Sequence, residues 1–198
     1  MNYETLNRNF ENHGFITEYF EEKEQVVAYL KEHIKGATVG IGGSMTAKEL
    51  NLDKALSDNN RVIWHWNEPG RNTLMAVRES DIYICSANGV SETGELVNID
   101  GTGNRVSMVL FGPERLYVII GRNKIVPTLE DALHRAKNVA APRNARRLKL
   151  NTPCAVNSEA RCYNCNSPQR ICKGTVILER PMNGMEVTLL FVNEDLGF

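Results

Sequence analysis

Short apolar runs alternate with amphipathic stretches along most of this chain. Residues 15–20, 37–41, 61–66, 81–86, 108–111, 117–120, 175–179 and 186–193 are rich in β-branched and aromatic residues, which predicts strands. Between them, residues 4–12, 22–35, 46–50, 52–56 and 72–79 carry apolar side chains at helical spacing. Val26, Val27, Leu30 and Ile34 mark the inward face of one such helix, and Gly36 is its natural stop. A further helix starts at Pro127 and Thr128 and runs through Leu133, Ala136 and Val139, and Pro142 begins another that reaches Leu148. Strands and helices in alternation predict an α/β fold. The runs at 108–111 and 117–120 are apolar almost throughout, as in strands of a mainly parallel sheet with helices on both faces. The last two strands are joined by residues 181–184.

The stretch 88–124 interrupts this rhythm. It is dense in Gly, Asn, Thr and paired charges, which is the composition of loops held by a rigid sheet, where polar binding groups sit. Glu92 and Glu95 are its candidate carboxylates for nucleophilic or acid/base work. Arg105 suits a substrate carboxylate or phosphate. Thr93, Gly94, Asn104 and Asn123 are candidate binding positions around them, and Lys124 stands at a strand end, either to hold an anion or in solvent. Ordinary turn residues and a surface ion pair would give the same pattern. Asp100, Thr102 and Asn104 alternate like the start of a calcium loop, but the closing glutamate is absent.

Earlier in the chain, Gly42-Gly43-Ser44 follows the strand at 37–41 and precedes a helix. Strand, glycine turn and helix start form an anion-binding geometry, in which free N–H groups and the helix dipole point at one spot. The same residues also suit a plain turn capped by Ser44. His65 lies between Trp64 and Trp66 at a strand end, either packed or facing a ligand.

With 198 residues, 42% hydrophobic and 24% charged, the chain has the composition of a soluble protein with one sizeable core. The net charge of −1 argues against general attachment to nucleic acid or an anionic membrane. Arg143, Arg146 and Arg147 form a basic patch without interleaved aromatics. No apolar run is long enough to span a bilayer, and the first residues are polar and mixed in charge, unlike a signal peptide. A cytoplasmic location is therefore expected. In a reducing compartment the five cysteines suggest metal or redox chemistry before disulfides. Cys85 falls inside an apolar strand and reads as an inert core thiol.

The other four cysteines fall within residues 154–172. Cys154 is followed by Cys162-x-x-Cys165 and then Cys172, in polar surroundings. Four thiols so close suit a tetrahedral zinc or an iron–sulfur cluster. Only one C-x-x-C pair occurs, where zinc ribbons use two. The spacing is similar to the compact cluster loop of endonuclease III-type glycosylases. A 4Fe–4S cluster is therefore favoured, zinc is the alternative, and free redox-active thiols are a third reading. The loop at 152–174 reads as an appendage of a single domain spanning 1–198.

Taken together, VGIGGSMTAKEL (39–50), NGVSETGELVNIDGTGNRV (88–106), GRNKIVPTLEDAL (121–133), NVAAPRNARRL (138–148), TPC (152–154) and CYNCNSPQRIC (162–172) resemble the lactate-utilisation (LUD domain) proteins. The likeness is to the short bacterial branch with a C-terminal cysteine set, and it covers nearly the whole chain. It implies a fold similar to the sugar-phosphate isomerase and CoA-transferase superfamily. It also implies a part in oxidising L-lactate or a similar small hydroxy acid beside iron–sulfur partner proteins. In that superfamily the glycine turn binds phosphate or carboxylate groups, which here maps to Gly42, Gly43 and Ser44. CoA transferases of this fold carry a Ser-Glu-Asn-Gly segment with a nucleophilic glutamate. Ser91-Glu92-Thr93-Gly94 resembles it, with Thr in place of Asn. A transferase or isomerase acting on a phosphorylated or CoA-linked substrate through Glu92 is thus the alternative function, and a non-catalytic accessory protein is a third. There is no G-x-G-x-x-G fingerprint for a dinucleotide. A homo-oligomer is compatible with the fold, and no specific dimer signature is visible.

Overall fold

The computed structural model describes residues 3–198. Six strands form one wholly parallel sheet: β1 (Ile16–Phe20), β2 (Thr38–Ile41), β3 (Arg61–Trp64), β4 (Ile82–Cys85), β7 (Arg115–Gly121) and β10 (Glu186–Val192). Their spatial order is β1-β10-β7-β4-β2-β3. Side chains alternate between the two faces of a strand, and here each face has its own core. Leu116, Val118 and Ile120 of β7 join one apolar cluster, and Tyr117 and Ile119 join the other. Because both faces are covered, the strand sequences are apolar throughout rather than alternating.

Leu6 and Phe10 of α1 (Tyr3–Asn12) and Val77 of α5 (Arg71–Val77) cover the first face, with Met108 and Val109 of α6 (Asn104–Leu110). Val26, Leu30, Ala47, Leu52 and Leu56 cover the second, from α2 (Lys23–His33), α3 (Met45–Glu49) and α4 (Leu52–Ser57). The α/β fold with a mainly parallel sheet and helices on both faces is thus as the apolar pattern predicts.

Two parts of the chain depart from that pattern. Residues 108–111 are not a strand. They end α6, whose first turn is fixed by the Asp100 carboxylate accepting from the backbone N–H groups of Arg105 (2.8 Å) and Val106 (3.3 Å). Met108 and Val109 are buried, while Phe111 is 83% exposed. A four-residue apolar run fits a strand or one face of a helical turn equally well, and the Asp100 carboxylate just before the helix decides it.

Residues 88–105 are also more ordered than a loop. They contain β5 (Gly89–Ser91) and β6 (Leu96–Asp100), an antiparallel hairpin. With β8 (Ile125–Val126) and β9 (Gly174–Leu178) this hairpin builds a second, four-stranded sheet in the order β8-β5-β6-β9. Residues 181–184 therefore connect strands of different sheets. Val90 and Leu96 join the first core, whereas Val97 and Ile99 meet Ala132 and Ala136.

Ala132 belongs to α7 (Leu129–Arg135), which continues through a π-helical turn (Ala136–Ala140) into α8 (Ala141–Arg147). Pro142 lacks an N–H and its ring would clash with the carbonyl of Asn138, which accounts for the widened turn just before it. α7 lies so close on β5 that a Cβ at Gly89 would collide with the Ala132 carbonyl oxygen and stand 3.0 Å from the Ala132 Cα. Neither backbone can retreat without opening the small sheet. Gly89→Ala is expected to destabilise the protein by about 2–3 kcal/mol in urea unfolding, the range for overpacking a filled core; an unchanged midpoint would show that the contact gives way freely.

Candidate functional site

In the parallel sheet β2 leads on to β3 at one edge, while β4 leads toward β7 and the other edge. The loops leaving the carboxyl ends of β2 and β4 therefore diverge, and a crevice opens between them. A cavity of about 310 Å³ occupies that place. Its wall includes Gly43 and Ser44 after β2, His65 and Trp66 after β3, and Ser86 and Asn88 after β4. The end of β6 and the start of α6 add Asp100, Thr102, Asn104 and Arg105, and the π-helical turn and α8 add Ala140, Asn144 and Arg147.

Lys124 forms a buried part of the wall, with 2% of its surface exposed. It follows β7 in a 3-10 turn (Arg122–Lys124). Its Nζ donates to Ser86 Oγ at 2.6 Å and to Thr46 Oγ1 at 2.9 Å. Ser86 Oγ in turn donates to the carbonyl oxygen of Ile119 at 2.6 Å. Burial lowers the lysine pKa to about 7, assisted by the positive charges of Arg135 and Arg105 and opposed by Glu49 and Cys85.

Arg105 comes from the first turn of α6. Its Nη2 donates to the Ile99 carbonyl and to Asn88 Oδ1 (3.3 Å). Among the described residues its Nε and Nη1 have no hydrogen-bond partner, which leaves three of its five N–H donors free. The Asp100 carboxylate is engaged by backbone N–H groups of Thr102, Arg105 and Val106. Burial pushes its pKa up, but the Arg105 charge and these N–H groups outweigh that and hold it below the usual range. His65 is lowered by burial and by Arg105, against the pull of Asp100, so its imidazole is neutral near pH 7.

Ser44 caps α3, accepting from Ala47 N at 3.2 Å, so its hydroxyl serves the turn. Gly42 is behind the cavity wall, where its carbonyl accepts from Trp64 Nε1 at 3.0 Å. Gly43 faces the cavity beside His65 and Trp66. The Arg147 guanidinium lies 4.9 Å from the centre of the Trp66 ring, which also stacks on Trp64. Part of the basic patch is therefore spent on an aromatic ring at the rim of the cavity.

The structure thus gathers Gly43, Ser44, Asn104, Arg105 and Lys124, and separates them from the other candidates. Asn123 accepts from Leu196 N at 3.1 Å and donates to the Gly197 carbonyl at 3.4 Å, holding residues 196–197 in place. Glu92, Thr93 and Gly94 form the tip of the β5–β6 hairpin. Glu92 and Thr93 are exposed, and the Gly94 carbonyl meets His13 Nδ1 at 3.1 Å. Glu92 borders a second depression with Arg122, Ile125 and Asn193.

The cysteine loop forms part of the cavity's surroundings. Lys173 N donates to the Asp100 carbonyl at 3.0 Å, and Ile171 lines the cavity. Cys162 N donates to Asn138 Oδ1 at 3.0 Å, and Arg170 donates to the carbonyls of Cys165 (2.7 Å) and Cys172 (2.9 Å). Cys154, Cys162, Cys165 and Cys172 are free and half-buried. Among the described residues no three Cys, His, Asp or Glu side chains are gathered closely enough to share a metal ion, so as placed they do not fit a cluster or a zinc ion.

Arg135 and Ser86 were not legible as site residues. Arg135 is 6% exposed and sits between Ala132 and Ala136, on the buried face of α7. A charge on an apolar helical face is the signal that marks it.

The fold belongs to the class of open α/β proteins with a polar crevice at the carboxyl ends of their parallel strands, the place where such sheets in general bind ligands. Within it, the family model for the LUD domain matches residues 3–192, and the chain belongs to that lactate-utilisation domain family. Among solved structures it is similar to the crystal structure of a DUF162 family protein from Deinococcus radiodurans, at 12% identity and a TM-score of 0.58, covering 96% of each chain. That likeness is one of fold. No curated protein matches the chain significantly. No helix among the described residues is long and apolar enough to cross a membrane.

Proposed function

We propose that this chain is the carboxylate-binding component of a system that oxidises L-lactate, or a similar small hydroxy acid, to the 2-oxo acid. Two electrons and two protons leave the substrate in that reaction, and the electrons pass to an iron–sulfur partner protein. The observation that carries the reading is the convergence of Arg105 and Lys124 on one cavity at the strand ends, in a member of the LUD family. The free Nε–H and Nη1–H donors of Arg105 lie on different edges of the guanidinium and suit single charge-assisted hydrogen bonds to a carboxylate. Lys124 and His65 are two groups with depressed pKa values on the same wall, and a neutral amine or imidazole there accepts the hydroxyl proton. On this chain the reading uses only these side chains.

The transferase or isomerase alternative rests on Glu92, whose place at an exposed hairpin tip favours the first reading. Calorimetric titration with L-lactate, pyruvate, inorganic phosphate and CoA tests the choice. Saturable binding of the two carboxylates is expected. Arg105→Lys keeps the charge but loses the planar fork, and is expected to weaken binding about 10- to 100-fold, the equivalent of one charge-assisted hydrogen bond. Tight binding of CoA or phosphate with no binding of either carboxylate would sink the proposal.

The four-cysteine loop we propose as the metal-binding appendage only in a form that draws its thiols together. Iron and zinc content and the visible spectrum of anaerobically purified protein check this. Metal at a stoichiometric level, lost in Cys162→Ser, supports it; metal-free, colourless protein that folds and binds ligand removes it.

A further inference from the structure

We propose that the Lys124 amine forms a Schiff base with a small 2-oxo acid whose carboxylate is held by Arg105. This rests on the carboxylate-binding reading of the cavity and adds to it a covalent step.

Ser86 Oγ gives its only proton to the Ile119 carbonyl, so toward Lys124 it can only accept. Thr46 Oγ1 takes the second contact from Nζ. A neutral amine has two hydrogens, and these two hydroxyls use both. What remains on nitrogen is its lone pair. Among the described residues no carboxylate forms an ion pair with Lys124 to stabilise a third proton. The charged groups acting on it are Arg135 and Arg105, which oppose protonation, and the more weakly acting Glu49. A lysine desolvated beside other cations is the setting in which an amine becomes a nucleophile near neutral pH.

A lysine used only to attract an anion gains from being charged, and solvent or a carboxylate partner would keep it so. Here the fold does the opposite, burying the amine, fixing it on two hydroxyls and placing two guanidinium groups nearby. Arg105, whose guanidinium still has free N–H donors, is the better holder of the carboxylate. The amine is then free for the carbonyl beside that carboxylate.

The step balances without an oxidant. The Nζ lone pair attacks the carbonyl carbon, forming the C–N bond, and the C=O π pair moves to oxygen. That oxygen takes a proton as nitrogen loses one, giving a carbinolamine. The C–O bond then breaks, oxygen leaves as water with a further proton, and nitrogen forms the C=N bond. Amine and ketone thus become imine and water. His65, on the same wall and neutral near pH 7, is the titratable group that carries the proton.

The experiment treats the full chain with pyruvate and sodium cyanoborohydride, which reduces an imine to a stable secondary amine. Intact mass and peptide mapping then locate the adduct, with pyruvate binding measured by calorimetry in parallel. One adduct per chain on the peptide containing Lys124 is expected. L-Lactate at saturating concentration should suppress its formation at least tenfold, and Lys124→Met should abolish it. Mapping is done on the unsubstituted protein, so the result stands whether or not the variant folds. Saturable pyruvate binding with no adduct on Lys124 overturns the proposal and leaves the carboxylate reading intact. Adducts scattered over surface lysines and insensitive to lactate also overturn it. If pyruvate neither binds nor reacts, the carboxylate reading fails and this proposal fails with it.

Discussion

Lys124→Met is expected to gain about 2 kcal/mol less stability than the unsubstituted protein between pH 7 and 8.5. The reason is the difference between folded and unfolded lysine. In the folded protein burial lowers the Lys124 pKa to about 7, while in the unfolded chain it returns to its ordinary value near 10.4. Below pH 7 the amine is charged in both states, and the folded state bears the full cost of burying it. Above pH 7 the folded amine is neutral while the unfolded one still binds its proton. The unfolded state then holds more protons, so stability rises with pH.

The rise does not continue unopposed. Burial pushes the Cys85 thiol up to about 12, and Tyr83 also stands well above its usual value. Above about pH 8.5 the unfolded chain loses a thiol proton that the folded protein keeps, which cancels the lysine's contribution and flattens the slope. The clean window for Lys124 is therefore pH 7 to 8.5. Met is similar in size and cannot titrate, so subtracting its profile isolates the lysine. Urea unfolding of both proteins across this window is the measurement. Parallel profiles would mean that Lys124 is not held neutral, and the amine would lose its claim as base or nucleophile.

Arg135→Met should cost about 3–5 kcal/mol, the largest effect of any single substitution at the site. The guanidinium donates to three backbone carbonyls in different parts of the chain: Asn123 through Nε at 2.8 Å, and Asn88 and Phe198 (3.3 Å) through Nη1. Asn88 follows β4 and Asn123 follows β7, so one side chain ties together the loops that carry the cavity wall. Methionine fills the space of the stem but leaves those acceptors without a donor. Burial, and secondarily Arg143, lowers the arginine pKa to about 10, which leaves it charged at neutral pH. Arg135→Lys keeps a charge but cannot span three carbonyls, so it should recover less than half of the loss. The loss of a neighbouring positive charge should also raise the Lys124 pKa in Arg135→Met. Urea unfolding combined with amide exchange around Asn88 and Asn123 reads both effects. Stability within about 0.5 kcal/mol of the unsubstituted protein, the range of an ordinary surface change, would show that solvent replaces the clamp.

Much of the architecture was legible because local chemistry and the fold agree. The strands at Thr38–Ile41, Ile82–Cys85 and Arg115–Gly121 are apolar on both faces because both faces are covered. The helix at Lys23–His33 shows its buried face through Val26 and Leu30. The run at 108–111 misled because its apolar residues suit either element, and the carboxylate that starts α6 lies on β6. The hairpin of β5 and β6 escaped because its polar, glycine-containing sequence matches a loop; it becomes a sheet only when β8 and β9 pair at its sides. In the site, Arg105 and Lys124 stood out as cations near strand ends. Glu92 stood out equally, by its short likeness to a transferase motif, yet it sits at a hairpin tip.

The sequence alone therefore determined the alternation of elements, the two-faced core and, through long matching blocks, the family. Those features are local or repeated, and each residue announces them through size and polarity. Tertiary structure alone decided which polar residues share a cavity, because that depends on the order in which strands far apart in the chain lie side by side. It also decided the state of Lys124. A lysine is charged by default, and only burial among Ser86, Thr46, Arg135 and Arg105, drawn from four separate segments, brings its pKa down to about 7.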